Sequence, residues 1–486
     1  MPLALALDLG TTSIAAVAVG DDGRLVAHVQ LPNDSGIAGL PTGYAEQDPL
    51  RIREIASQVL RQLADALPAK PHCLGITGQM HGGLVLDGQR RPLTNLITWQ
   101  DRRANLPDPQ ETGSYLDSVL CNCSESAFHS AGSRPAAGFL GATLFVLTRQ
   151  GQSCIGRAAR VACVADWIAA ELSDGPVETD PGNAQSLGVF DLEHRTWSDE
   201  LLAACNLPRT LMPEVRESGA VLGGLSTSIA RETGLPEGLP ICNAIGDNQA
   251  AVLGSVPAGQ PAIQINVGTG GQINWPVPHF TRLPGMETRY LPVGRLMLVG
   301  PGLSGGDAYA WVNRTAAQWL AAFGVERSTD DIYARMNELA QRLPEDQYLP
   351  EDELPVCEPL FRGTRWKPTA RGEFHGVTFD NFSLGHVARA VLRGIAQGMY
   401  TFYEAAGESR PQHLDRIVGS GNGLRKNPLL VREISRRFDR PVWFPTHTQE
   451  AAYGAALLAG VSTGLWPDLE AAGRNIRLAP AAPVTG

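Results

Sequence analysis

Leu3-Ala4-Leu5-Ala6-Leu7-Asp8-Leu9-Gly10-Thr11-Thr12-Ser13-Ile14-Ala15-Ala16-Val17-Ala18-Val19 is the stretch on which the fold turns. An apolar run, Leu3 to Leu7, breaks at an acid, a glycine and two threonines, and a second run, Ile14 to Val19, follows it. After the turn at Asp21-Asp22-Gly23 comes a third run, Leu25 to Leu31, so the opening reads as a three-stranded meander. Backbone N–H groups in a Gly/Thr turn converge as a small anion-binding nest, and the hydroxyls of Thr11 and Thr12 beside Gly10 add donors suited to phosphate oxygens. The plain alternative is an ordinary hairpin turn with a capping carboxylate. A P-loop or a dinucleotide fold is excluded, because those place a helix after the glycine turn and here a strand follows.

The pattern returns once. Ala262-Ile263-Gln264-Ile265 leads into Asn266-Val267-Gly268-Thr269-Gly270-Gly271, followed by Gln272-Ile273-Asn274-Trp275. A spacing this long is no solenoid, so duplication of one domain type accounts for it, with two nests able to grip one polyphosphate across a cleft. A chain of 486 residues also exceeds one ordinary core. The expected division is an N-terminal domain over 1–245, a C-terminal domain over 246–465 and a tail over 466–486. Between the nests, Asp48 and Pro49 start a helix whose apolar face runs from Ile52 through Leu63 to Leu67, and a strand covers Cys73 to Thr77. Helices are expected over Ala158 to Leu172 and after a cap near Ser383, the latter with Gly394 and Gly398 for close packing. Ile417-Val418-Gly419-Ser420 is a strand ending in a glycine loop.

Composition narrows the partners. With 50 acidic against 40 basic residues the net charge is −10, and no cationic block exceeds Arg436-Arg437, so nucleic acid is an unsuitable partner. No apolar run approaches the roughly 18 residues of a membrane span, and the N-terminus enters a strand without a basic leader. The expected location is cytoplasmic, with the eight cysteines reduced. Cys121-Asn122-Cys123 is spaced too tightly, and lacks the second pair, for an ordinary zinc site.

Three clusters offer chemistry. Asp8, at the mouth of the first nest, suits Mg²⁺, which keeps much of its water and takes one or two carboxylates. In Ile245-Gly246-Asp247-Asn248-Gln249 a strand ends at an acid that opens a helix. Asp247 is placed either to accept a proton from an alcohol during phosphoryl transfer or merely to cap the helix. Gly78-Gln79-Met80-His81-Gly82 and Thr98-Trp99-Gln100-Asp101 mix hydrogen-bonding groups with an aromatic face, as a sugar site requires. His81 and Trp99 are also plausible as plain core residues.

These residues, with Gly305-Gly306, Gly419-Ser420-Gly421, Asn427-Pro428 and Glu450 to Ala456, occur in the order found in the FGGY carbohydrate kinases, which the chain resembles from Leu5 to about Gly460. The resemblance implies an α/β fold of two ribonuclease-H-like, actin-like ATPase domains flanking a central cleft, with ATP and Mg²⁺ between them. It further implies Asp247 as catalytic base and Gly10, Thr11, Thr12, Gly268, Thr269, Gly305, Gly306, Gly421 and Asn427 around the nucleotide. Asp8 would face the metal, and Gln79, Met80, His81, Trp99 and Asp101 a small ketose. Thr98 to Asp101, Gly138 to Phe145 and Gly302 to Gly306 resemble the sedoheptulokinase branch, which makes a seven-carbon ketose phosphate. Xylulokinases usually carry Asn where this chain has Gln100, and many members carry a Lys near Thr143 that is missing here. A non-catalytic actin-like sensor would use the same cleft, but it could dispense with Asp8 or Asp247, and both are kept.

Overall fold

The computed structural model describes residues 2–482 apart from 153, 261, 344–354, 362, 365, 366 and 368. The opening meander forms as expected: β1 (Leu3–Leu9), β2 (Ser13–Gly20) and β3 (Leu25–Pro32) pair antiparallel, with Leu7 opposite Ala16 and Val17 opposite His28. Helix α1 (Pro49–Ala66) starts where Asp48 accepts the Leu50 N–H at 2.9 Å, and buries Ile52, Ile55, Val59, Leu60 and Leu63. The chain then returns as β4 (Pro71–Gly78), parallel to β1.

The expected helix from Ala158 is a correction. Arg160–Ala162 is instead a short strand, paired antiparallel with Leu84–Leu86, and helix α2 (Val164–Ser173) begins only after Cys163. The backbone of Arg160–Ala162 is claimed by Leu84–Leu86, far upstream in the chain, a pairing that local apolar content cannot register. Helix α3 (Pro181–Ser186) follows, capped by Asp180. Strands β5 (Val221–Gly224), β6 (Pro240–Cys242) and β7 (Ile245–Gly246) complete the first sheet, in order β5-β6-β4-β1-β2-β3, with β7 also on β4. Helix α4 (Asp247–Ser255) leads out of it.

The second sheet repeats the theme. Strands β8 (Ile263–Val267) and β9 (Gly270–Val277) flank the second Gly/Thr turn, and β10 (Glu287–Leu291) and β11 (Arg295–Ser304) extend the sheet outward. Helices α5 (Gly306–Ala322) and α6 (Leu384–Ala405) cover it. Ser383 precedes α6, but its hydroxyl meets His386 Nδ1 at 2.8 Å and makes no cap bond. Strand β12 (Ile417–Ser420) runs parallel to β8 as β4 does to β1, so the duplication read from two turns extends to the pairing around them. After helices α7 (Asn422–Arg425) and α8 (Pro428–Phe438) come β13 (Val442–Pro445), α9 (Glu450–Ser462) and α10 (Leu469–Gly473).

Residues 466–480 of the stretch expected as a tail are built into the fold. β14 (Leu478–Pro480) pairs antiparallel with β13 and ends the second sheet, whose order is β10-β11-β9-β8-β12-β13-β14. Trp466 is buried, with its indole N–H donating to the Asp21 carbonyl at 3.0 Å. Helix α9 crosses onto the first sheet, where its alanines and leucines join Ala4, Ala6, Val17 and Val19 in one core. It meets α4 at two glycines: a Cβ at Gly254 would strike the Glu450 carbonyl, and one at Gly454 the Ala250 carbonyl. Among the described residues no helix is long and apolar enough to cross a membrane.

Candidate active site

Register places the two acids together. Asp8 of β1 lies opposite Thr77 of β4, Thr77 lies opposite Ile245 of β7, and Gly78 opposite Gly246, all in parallel pairs. Asp8 and Asp247 therefore emerge at the same carboxyl edge of the sheet, the side on which open α/β sheets bind ligands. The capping alternative for Asp247 does not hold: Gly246 is the N-cap, Asp247 is the first helical residue, and no side-chain cap bond forms. Both residues are partly exposed. Burial pushes the Asp247 carboxyl up to about 6, against the pull of the Asn248 N–H and the Arg289 charge. Burial, then the neighbouring charge of Asp247, pushes Asp8 up to about 7. Asp8 Oδ1 and Thr77 Oγ1 are buried with no hydrogen-bond partner among the described residues.

The first Gly/Thr turn and the expected sugar loop are one network. Trp99 Nε1–H donates to Thr11 Oγ1 at 3.0 Å, and Thr11 donates onward to Gln79 Oε1 at 3.2 Å. Gln79 Nε2 donates to Gln47 Oε1 at 2.8 Å, while Gln47 Nε2 reaches the Thr11 carbonyl at 2.9 Å. Thr12 is exposed beside them. Gln79 and Trp99 thus have hydrogen-bonding groups committed inside the first lobe. Asp101 is fully buried, and its oxygens accept from the Ala45 N–H at 2.9 Å and from Arg103, which also pairs with Glu46. Its position is beneath the loop, holding it. Met80 packs against Gly246, next to Asp247, and His81 stacks on Phe139 with ring centroids 4.3 Å apart.

The second turn is a cradle of backbone. The Gly306 N–H donates to the Gly268 carbonyl at 2.9 Å, and the Asp307 N–H to the Thr269 carbonyl at 3.1 Å. Gly305 lies against Gly270, and Gly423 against the Val267 and Gly268 carbonyls. Gly421 has φ 83°, and a Cβ there would meet Asn266 and the Val267 carbonyl, so only glycine fits. The buried Ser420 hydroxyl beside it has no partner among the described residues. Gly268, Thr269, Gly305, Gly306 and Gly421 are therefore brought together. Asn427 stands at the far end of α7, where its Oδ1 accepts the Leu430 N–H at 3.0 Å and caps α8.

Two residues absent from the sequence reading adjoin the site. Arg289 and Glu287, on β10, form a buried ion pair with Arg289 Nε at 2.9 Å from Glu287 Oε2, and Arg289 Nη2 lies 3.4 Å from His81 Nε2. Their signal was an acid and a base two apart between Met286 and Tyr290-Leu291, hence on one face of a strand.

Residues 3–254 match the N-terminal domain, and residues 265–463 the C-terminal domain, of the FGGY family of carbohydrate kinases. The chain belongs to that family. It is 29% identical to sedoheptulokinase of Mus musculus over 94% of this chain and 97% of that one. It is 30% identical to glycerol kinase of Thermus brockianus over 96% and 90% of the two chains. Its fold matches the crystal structure of xylulose kinase from Rhodospirillum rubrum with a TM-score of 0.84 at 23% identity, covering 99% of this chain and 94% of that one. The architecture is accordingly that of the actin-like ATPases, with two such domains, one on each sheet.

Proposed function

We propose that this kinase transfers the γ-phosphoryl group of ATP to a primary hydroxyl of a ketose, in the first instance sedoheptulose, giving sedoheptulose 7-phosphate. Xylulose is the five-carbon alternative. The reading is supported by the sedoheptulokinase relative across nearly the whole chain and by the loop of Gln79, Met80 and His81 beside Asp247. All eight cysteines are free, which suits work in a reducing cytoplasm.

One observation carries the mechanism: Asp247 is a carboxylate at the head of a helix it does not cap, beside a second acid, with its pKa raised to about 6. A base with that value is ionised at neutral pH and still binds a proton well. The sugar hydroxyl gives its proton to Asp247 as its oxygen forms the bond to the γ-phosphorus, and the bond from that phosphorus to the ADP oxygen breaks. Met80 and His81 line the acceptor, while Gln79, Trp99 and Asp101 hold the loop and the Thr11 turn in place. Gly268, Thr269, Gly305, Gly306 and Gly421 offer backbone where phosphates can approach, with Gly10 and Thr12 across the cleft.

Asp8 fits Mg²⁺. Its Oδ1 is buried and without a partner among the described residues, and it stands beside a second carboxylate, an arrangement that a divalent cation relieves. Bound there, the ion would neutralise charge on the phosphates. A panel of sedoheptulose, xylulose, ribulose, fructose and glycerol, compared by kcat/KM in a coupled ADP-release assay, tests the assignment. Sedoheptulose is expected to give the highest value; a higher value for glycerol would overturn the ketose reading.

A further inference from the structure

β10 is an edge strand of the second sheet, yet all five of its residues are buried, because it is fastened to the first lobe. The Thr288 N–H donates to the Gly132 carbonyl at 2.9 Å, and Gln185 Nε2 of α3 donates to the Thr288 carbonyl at 2.6 Å. Thr288 lies between Glu287 and Arg289, so these bonds also fix where that pair sits. Glu287 is wholly buried and Arg289 only 4% exposed, which makes the pair expensive to disrupt and its geometry well defined.

The guanidinium faces His81. Arginine only donates, so His81 Nε2 is the unprotonated ring nitrogen, and His81 Nδ1–H donates to the Ser186 carbonyl at 3.1 Å. The His81 N–H donates to Ser186 Oγ, also at 3.1 Å, and the ring stacks on Phe139. His81 has φ 70°, a left-handed conformation uncommon for a residue with a Cβ, though histidine adopts it more readily than most. The constraints come from Ser186 and Phe139 in one lobe and from Arg289 in the other.

We propose that Arg289 is a positioning residue of the sugar site, supplied by the second lobe, which fixes the tautomer and ring orientation of His81. The acceptor surface on the first lobe is then complete only while β10 is docked against it. Arginine suits the task because its planar fork serves Glu287 and His81 at once, where a lysine ammonium offers a single point of charge. The inference rests on the reading of the His81 loop as the sugar site.

The test compares Arg289→Met combined with Glu287→Gln, which removes the pair without stranding a buried charge, with Arg289→Lys and His81→Ala. The double variant should raise the sugar KM about 10- to 100-fold, the loss of a charged hydrogen bond, with the ATP KM within about twofold. The ¹⁵N shifts of the His81 ring in the sugar-free protein should move from the Nδ1–H form to a mixture of tautomers. Arg289→Lys should restore part of the sugar KM and most of the tautomer; should the double variant not fold, a His81 tautomer and sugar KM unchanged from wild type in Arg289→Lys and in Arg289→Met alone would overturn the proposal. An unchanged sugar KM in the double variant overturns it too, as does a parallel rise in both KM values with the tautomer intact. If His81→Ala leaves the sugar KM unaltered, the sugar-site reading itself fails; if only His81→Ala raises it, the role of Arg289 alone is lost.

Discussion

At the Gly10–Thr12 turn the Thr11 hydroxyl sits between the Trp99 indole and the Gln79 amide, and its carbonyl takes Gln47. At the Gly268–Gly270 turn the neighbours are the backbones of Gly305, Gly306 and Gly423, and the exposed Thr269 hydroxyl has no hydrogen-bond partner among the described residues. Two turns that look interchangeable in sequence thus differ in what they have left to give. The first has committed its Thr11 hydroxyl and carbonyl to Trp99, Gln79 and Gln47, whereas the second, with the Gly268 and Thr269 carbonyls bonded to backbone, keeps the Thr269 hydroxyl open.

That contrast breaks most sharply at Gly421. Alanine there would be strained at φ 83° and would push against Val267, so Gly421→Ala should raise the ATP KM about 100-fold while sugar binding, followed by calorimetry, stays within about twofold. An equal loss of both ligands would show that the lobes are not separable in this way. On the other side, Thr11→Val leaves the Trp99 N–H and a Gln79 oxygen unpaired and should raise the sugar KM about tenfold, with the ATP KM changed less than about threefold. The reverse pattern would return the Thr11 hydroxyl to the nucleotide.

Acidification should move activity and stability in opposite directions. Asp247 must be ionised to accept a proton, so kcat/KM should fall about tenfold per unit as pH drops below about 6. Asp8 and Asp247 have folded-state values above the ordinary 3.8, so the folded chain binds more protons than the unfolded one between roughly pH 4 and 7. Their contribution to stability is complete below that window and is lost as pH rises through about 6 to 7. Asp8→Asn should therefore melt higher than wild type at pH 8, by on the order of 1–2 kcal/mol, with a flatter pH dependence in ligand-free melting curves. The smallest effect belongs to Thr269→Val, which should raise the ATP KM about threefold without touching the sugar, since an exposed hydroxyl contributes a single bond to a ligand.

Local signals carried much of the fold. The meander, the Asp48 cap with Pro49, the strand through Thr77 and the glycine loop after Ser420 all follow from residues within a few positions of one another. What failed was long-range. Arg160–Ala162 is a strand because Leu84–Leu86 pairs with it, and 466–480 is no tail because β13 offers an open edge. The site shows the same division: Asp8 and Asp247 are brought to one edge of the first sheet by register and the glycines of the second turn to one another by backbone packing, whereas the Asp101 and Asn427 side chains are occupied by Arg103 and by a helix cap. The contact of Arg289 with His81 was invisible because His81 lies in the loop after β4 of the first sheet and Arg289 on β10 of the second, and only the docked strand joins them.

The base assignment is tested most directly by Asp247→Asn, which keeps the shape of the side chain and removes its ability to take a proton. Turnover with ketose and ATP should fall about a thousandfold or more, while equilibrium binding of each ligand stays within about threefold. A variant that binds both ligands as wild type does and retains more than about a tenth of kcat would contradict Asp247 as the base.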